Sequence, residues 1–176
     1  MPPERSRPGR VQVYTDPLQH ALIAVVVAAP LVPHTGAGVL ATAAAASLLI
    51  DVDHAVAARS LRIRDTTSLP TRPRTHSLLT ALGAGALVGA AAGPVHGWAA
   101  FGGLASHLLH DAGDRAAPTP VLWPFAPARQ LGRGRQLAGT AALALASAAI
   151  SRALAAGAPS SGGADAGGAA ARPRTA

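Results

Sequence analysis

Nearly every charge in this chain falls between apolar segments, and that separation limits the folds open to it. Apolar residues concentrate at 18–32, 36–50, 78–92, 94–109 and 137–156, each run suited to one helix. Pro30 and Pro33 close the first, and Gly93-Pro94 forces a turn between the third and fourth. Helices at these positions make a five-helix bundle. The first two runs are about fifteen residues each, roughly 22 Å at 1.5 Å per residue, against the ~20 residues that normally cross a bilayer core. That length admits buried helices of a soluble bundle as well as membrane spans whose ends are drawn to the interface.

Composition and arginine placement choose between these. The chain is 49% hydrophobic but only 3% aromatic, and alanine dominates, which fills a soluble core poorly and packs membrane helices well. Glycines at 83, 85, 89, 97, 102 and 103 let the third and fourth helices approach closely, with Gly85 and Gly89 at small-xxx-small spacing. All 15 basic residues are arginine, against 8 acids. Such a balance raises nucleic-acid binding, but the arginines cluster at the ends of apolar runs without interleaved aromatics, so the partner expected is membrane lipid and not nucleic acid. Residues 1–16 hold three arginines, the 33–36 connection none, 51–77 five, the Gly93-Pro94 turn none and 110–136 four. That alternation predicts two short helical hairpins entering from the cytoplasm, plus a fifth C-terminal helix that leaves the tail outside. Arg172 and Arg174 in the tail run against the pattern.

The predicted class is therefore all-α, a multi-pass helical bundle in the cell membrane. It has a polar basic leader at 1–16, an embedded domain at 17–156 and a disordered Gly/Ala/Ser-rich tail at 157–176. The basic start resembles a signal peptide, but further apolar segments follow and the first run carries His20 in place of a cleavage site. There is no cysteine, so thiolate ligands are excluded.

On this topology Asp51, Asp53, His54, His76, His107, His110 and Asp111 all lie at cytoplasmic helix ends, and His20 joins them at that depth. His34 and His96 fall on the opposite side. His107 and Asp111, four apart, share a helix face; so do Asp51 and His54, three apart, while an unwound backbone would instead put Asp51 and Asp53 on one side. The metal ligands expected are His20, Asp51, Asp53, His54, His76, His107 and Asp111. Imidazole and carboxylate without sulfur suit zinc first, then manganese or iron, and three carboxylates can bridge two ions. Simpler roles compete: Asp51 and Asp53 pairing with Arg59 or Arg62, His76 capping a helix, His110 as a spare interfacial histidine. Trp123 and Phe125, set among prolines, read as an interfacial anchor, a lid or ordinary loop packing.

These motifs resemble those of the YdjM-like family, inner-membrane-associated proteins described as metal-dependent hydrolases. The likeness covers about residues 17–126. It rests on the order of His20, then Asp51-x-Asp53-His54, then Thr75-His76-Ser77-Leu78-Leu79, then Ser106-His107-Leu108-Leu109-x-Asp111 leading to Leu122-Trp123-Pro124-Phe125. Two departures stand out: Thr71-Arg72-Pro73 where the family often has His-Arg-Gly, and Ala112-Gly113-Asp114-Arg115 in place of Thr-x-x-Gly. The resemblance implies membrane location and metal dependence more firmly than a substrate.

The residues themselves make a metallohydrolase the first expectation, with Asp53 or Asp114 as general base and Arg72 and Arg74 holding an anionic head group. A site at the interface points to a phospholipid or other amphiphile with a phosphoester or acyl bond. The alternative is a non-catalytic membrane protein with a structural metal, binding a cytoplasmic partner through its arginine-rich loops. An ion pathway would need polar residues deeper in the helices than Thr42, Ser47, Thr80 and Thr140 provide.

Overall fold

Proline, glycine and capping residues divide the described residues into eight helices. A computed structural model describes residues 10–113 and 117–157, of which 10–15 by backbone alone, and contains no strand among them. The helices are α1 (Arg10–Ala28), α2 (Val32–Thr35), α3 (Gly38–Leu49), α4 (Val52–Ala58), α5 (Ile63–Thr66), α6 (Leu78–Ala92), α7 (Pro94–Gly113) and α8 (Arg133–Gly157). A single 3-10 turn, Ala29–Leu31, carries Pro30 and bends α1 into α2. Gly36, at φ 72°, then reverses the chain into α3. The Ser77 hydroxyl caps α6 by accepting from the Thr80 amide at 3.4 Å. Gly93, at φ 92°, ends α6, and Pro94 opens α7, where its missing N–H is no loss.

Among the described residues, three segments are long and apolar enough to cross a membrane, Asp16–Thr35, Gly38–Ala58 and Arg133–Gly157, and α6 is a shorter apolar helix. Their outer faces expose Leu22, Val26, Leu82, Leu87 and Leu145, a surface suited to lipid. The protein is thus a helical membrane bundle with two hairpins and a fifth helix, as its hydropathy predicts.

The centre of that bundle is α7. It packs against α1, α3, α6 and α8, and its buried face is built largely of Gly97, Ala99, Ala100, Gly102, Gly103 and Ala105. Small residues let backbones meet: a methyl group on Gly97 would stand 2.7 Å from both Gly85 O and Gly89 Cα of α6. On the other side, a methyl group on Gly103 would run into the Ala43 backbone of α3. Of the glycines expected to bring α6 and α7 together, Gly85, Gly89 and Gly97 do so, whereas Gly102 and Gly103 face α1 and α3 and Gly83 meets nothing within 4 Å.

Two boundaries differ from expectation. The first helix begins at Arg10, inside the stretch read as leader, and continues through Pro17. Proline removes one backbone donor there without ending the helix, so Asp16 falls in helical register with His20. The second run does not stop at Ile50 but resumes as α4, so Asp51 occupies the joint between two helices.

Candidate metal centre

Each ligand-bearing element delivers its side chains to the same end of the bundle for a local reason. On α1, His20 faces inward one turn after Asp16, and its carbonyl accepts from the buried Ser47 hydroxyl of α3 at 3.3 Å. Asp51 projects from the α3–α4 joint. His76 immediately precedes the Ser77 cap of α6, and His107 and Asp111 share one face of α7.

Four of these atoms surround a common point. Asp51 Oδ1 is 3.5 Å from His76 Nε2 and 3.4 Å from His107 Nε2. Asp111 Oδ2 is 3.4 Å from His76 Nε2 and 3.2 Å from His107 Nε2. Donors held at ~2.0–2.1 Å from one tetrahedral ion would stand about 3.3–3.4 Å from one another. The four histidine–aspartate contacts have that length, as donors that share an ion would. His76, His107 and Asp111 are fully buried, whereas the Asp51 side chain keeps 37% of its surface exposed and leaves a route for water.

Polar satisfaction supports the same conclusion. His76 Nε2, both ring nitrogens of His107 and Asp111 Oδ2 are buried without a hydrogen bond, and Asp111 Oδ1 has an ion pair with Arg72 but no hydrogen bond of good geometry. Among the described residues, every other such side-chain atom except Thr119 Oγ1 belongs to His20, Asp53, His54, Arg72 or His110, all around this point. Each orphan of this kind costs about 1–3 kcal/mol unless a ligand engages it. Groups of these residues are able to hold a metal ion: Asp51 with His76 and His107, His20 with His107 and Asp111, Asp53 with His54 and His76, and Asp16 with His20 and His110.

Around the four donors stand supporting groups. Asp53 Oδ2 accepts from His76 Nδ1 at 3.0 Å and also from the Thr75 hydroxyl. This contact turns the opposite nitrogen of His76 toward the cluster, the usual support for a metal-binding histidine. His54 Nδ1 lies 3.1 Å from Asp53 Oδ1 and 3.5 Å from Asp51 Oδ1. Arg72 Nη2 meets Asp111 Oδ1 at 2.9 Å. Burial pulls the His76 imidazole down, but the Asp51 and Asp53 carboxylates more than offset it and hold its pKa above the ordinary 6.5.

The expected site residues thus separate by place. His20, Asp51, Asp53, His54, His76, His107, Asp111 and Arg72 come together. Arg74 does not join them; it is exposed and lies over the Trp123 ring, 5.9 Å from its centroid. Asp114 lies outside the described residues, as does most of the 157–176 tail. Phe125 is 88% exposed and so suits an anchor, not a lid. Its loop is nevertheless tied to the site's own segments, through Leu78 N to Val121 O at 2.8 Å and Arg72 N to Pro118 O at 3.3 Å. The sequence reading passed over Asp16, whose four-residue spacing from His20 was the available signal. His34 and His96 bond to Ser151 and Thr42, each at 2.9 Å, away from the cluster.

A bundle with a lipid-facing exterior and a dry histidine–aspartate cluster at one end defines a multi-pass membrane protein equipped to hold a metal ion. Across residues 16–170 the chain matches the family described as YdjM inner membrane protein, and it belongs to that family. No curated protein and no solved structure matches it.

Proposed function

We propose that this protein is a metal-dependent hydrolase that cleaves a phosphoester or acyl bond of an amphiphilic substrate at the cytoplasmic face of the membrane. The observation that carries this reading is the set Asp51, His76, His107 and Asp111, whose histidine–aspartate contacts are all 3.2–3.5 Å, with a part-exposed edge at Asp51. A divalent ion, zinc first by this donor set and manganese or iron after it, supplies Lewis acidity and a water able to react near neutral pH. The chain's own residues do the rest. Asp53 fixes the His76 ring with one oxygen, and its second, 3.1 Å from His54 Nδ1, is the candidate to take a proton. Arg72 anchors Asp111 through one nitrogen and retains a buried, unpaired Nε for an anionic oxygen. Arg74 stacks on Trp123 and supports the loop instead. Cytoplasmic orientation is supported by the arginines, since Arg59, Arg62, Arg64, Arg72 and Arg74 all fall in the connection that also bears Asp51, Asp53, His54 and His76.

A second reading, a structural metal in a protein that recruits a partner, is favoured by the donor count, because four protein ligands can close a site completely. Elemental analysis of detergent-purified protein beside His107→Ala and Asp51→Ala, with hydrolysis of a chromogenic phosphodiester and a fluorogenic lipid ester, separates the two. Stoichiometric metal lost in both variants, with metal-dependent turnover in the wild type, is the expected result. Metal without turnover of either substrate class favours the structural role, and protein that stays metal-free when offered these ions overturns both readings.

A further inference from the structure

Beside the four donors lies another set that the hydrolase reading leaves unused. Asp16 and His20 are one turn apart on α1, with Asp16 Oδ1 3.7 Å from His20 Nε2. His110 reaches them from α7, its ring edge-on to His20 with centroids 4.5 Å apart. One ligand atom from each of the three lies within 4.8 Å of the others. His20 is only 2% exposed, yet its Nδ1 has no hydrogen-bond partner, and His110 Nδ1 is likewise buried and unpartnered.

Asp111 connects this set to the first. Its Oδ2 lies 3.2 Å from His107 Nε2, while its Oδ1 lies 3.4 Å from His20 Nε2. The two imidazoles are stacked, with centroids 3.8 Å apart and planes 30° from parallel. One carboxylate therefore presents its two oxygens to two neighbouring rings. Paired ions in two-metal hydrolytic sites are spaced ~3.5–4 Å apart, close to the spacing of these rings.

Charge gives an independent reason. Asp16, Asp51, Asp53 and Asp111 bring four carboxylates into the cluster, and among the described residues Arg72 is the one guanidinium paired with them. With the imidazoles neutral, as metal ligation requires, this leaves a net triple negative charge, part of it on the fully buried Asp111, where uncompensated charge is expensive, while Asp16 and Asp51 keep 43% and 37% of their side-chain surface exposed. One divalent ion leaves it negative. Two make it weakly positive, the sign that attracts an anionic group.

The geometry points to a second divalent-cation position, held by Asp16, His20 and His110 and sharing Asp111 with the first. Its oxygen and imidazole donors suit zinc or manganese. The sharing of Asp111 rests on the first centre proposed above; the Asp16, His20 and His110 set stands on its own contacts.

The test is manganese loading of the full-length, detergent-purified protein, followed by elemental analysis and electron paramagnetic resonance. Wild type should carry two ions per chain with an exchange-coupled signal. Asp16→Asn and His110→Gln should each drop to one ion and lose the coupling, and Asp51→Asn should lose the other ion. Asp16 is 43% exposed, so its amide variant leaves the packing intact, and His110→Gln checks the site from a second helix. One ion in the wild type that survives both Asp16→Asn and His110→Gln overturns the second position and leaves the first standing. An ion lost in those two variants but indifferent to Asp51→Asn supports the second position and overturns the first, and wild type with no ion overturns both.

Discussion

His76 illustrates how one side chain joins the site's chemistry to its support. Its Nδ1 donates to Asp53 and its Nε2 faces Asp51 and Asp111. Removing the charge of Asp53 leaves the four donors in place but loosens the ring between them. Asp53→Asn should weaken metal binding by about 10–100-fold with helix content unchanged, measured by competition against a chelating dye. Unaltered affinity would remove Asp53 from that supporting role. The raised pKa of His76 fixes the sign of a pH effect. Without metal, its contacts with the two carboxylates stabilise the fold fully below pH 6.5 and fade as pH rises through the raised value. A bound ion requires the imidazole deprotonated, so its contribution grows over the same range. Thermal melts of chelator-treated and metal-loaded protein should therefore diverge above pH 6.5; parallel curves would mean that ion and proton do not compete there. At this scale Asp51, His76, His107 and Asp111 were legible because an ionisable group at the end of an apolar run has few inexpensive alternatives. Asp16 was not, because it looked like part of a solvated leader until Pro17 proved to lie within a helix. Arg74 misled by adjacency: residues next but one in a loop need not face the same way, and it turns to Trp123.

Among the elements, α7 holds the decisive position. Its glycines let it touch α6 and α3 through backbone, while its last turns supply His107 and Asp111. A bulky residue in that contact should disturb both functions together. Gly97→Leu meets α6 backbone, not a flexible side chain, so it should cost at least the ~1–3 kcal/mol typical of overpacking. The measurement is a thermal or denaturant melt in detergent, with Gly83→Leu, which meets nothing within 4 Å, as the control. Equal stability of the two variants would mean that the α6–α7 contact is not tightly packed. Hydropathy revealed five helical runs but not which one the others surround. That ranking comes from which glycines oppose backbone, a property of pairs of helices that no single segment displays. The same limit explains why the second run was ended at Ile50, since α4 is too polar to register as a continuation until Asp51 is seen to bend the chain without unwinding it.

For the molecule as a whole, the alternation of arginines predicts which end faces the cytoplasm. The chain lacks cysteine, so single reporters can be introduced on an otherwise unreactive background. Ser68→Cys, in the connection that bears His76, should resist a membrane-impermeant maleimide in intact cells and react once the inner membrane is opened. Ala37→Cys, at the opposite turn, should label in cells whose outer barrier alone is breached. The reverse pattern would put the metal centre on the outer side and remove the cytoplasmic substrate from consideration. The backbone contacts at Gly97 and Gly103 also limit how a substrate can arrive. With α6 and α3 both pressed against α7, neither seam can part like a lateral gate without breaking the packing that holds the site together. On the proposed hydrolase reading, an amphiphile would have to tip its head group over the rim beside Asp51 while its tail stays in the surrounding leaflet, so the protein would select for how far a reactive bond stands from the bilayer surface more than for the length of the chain beneath it.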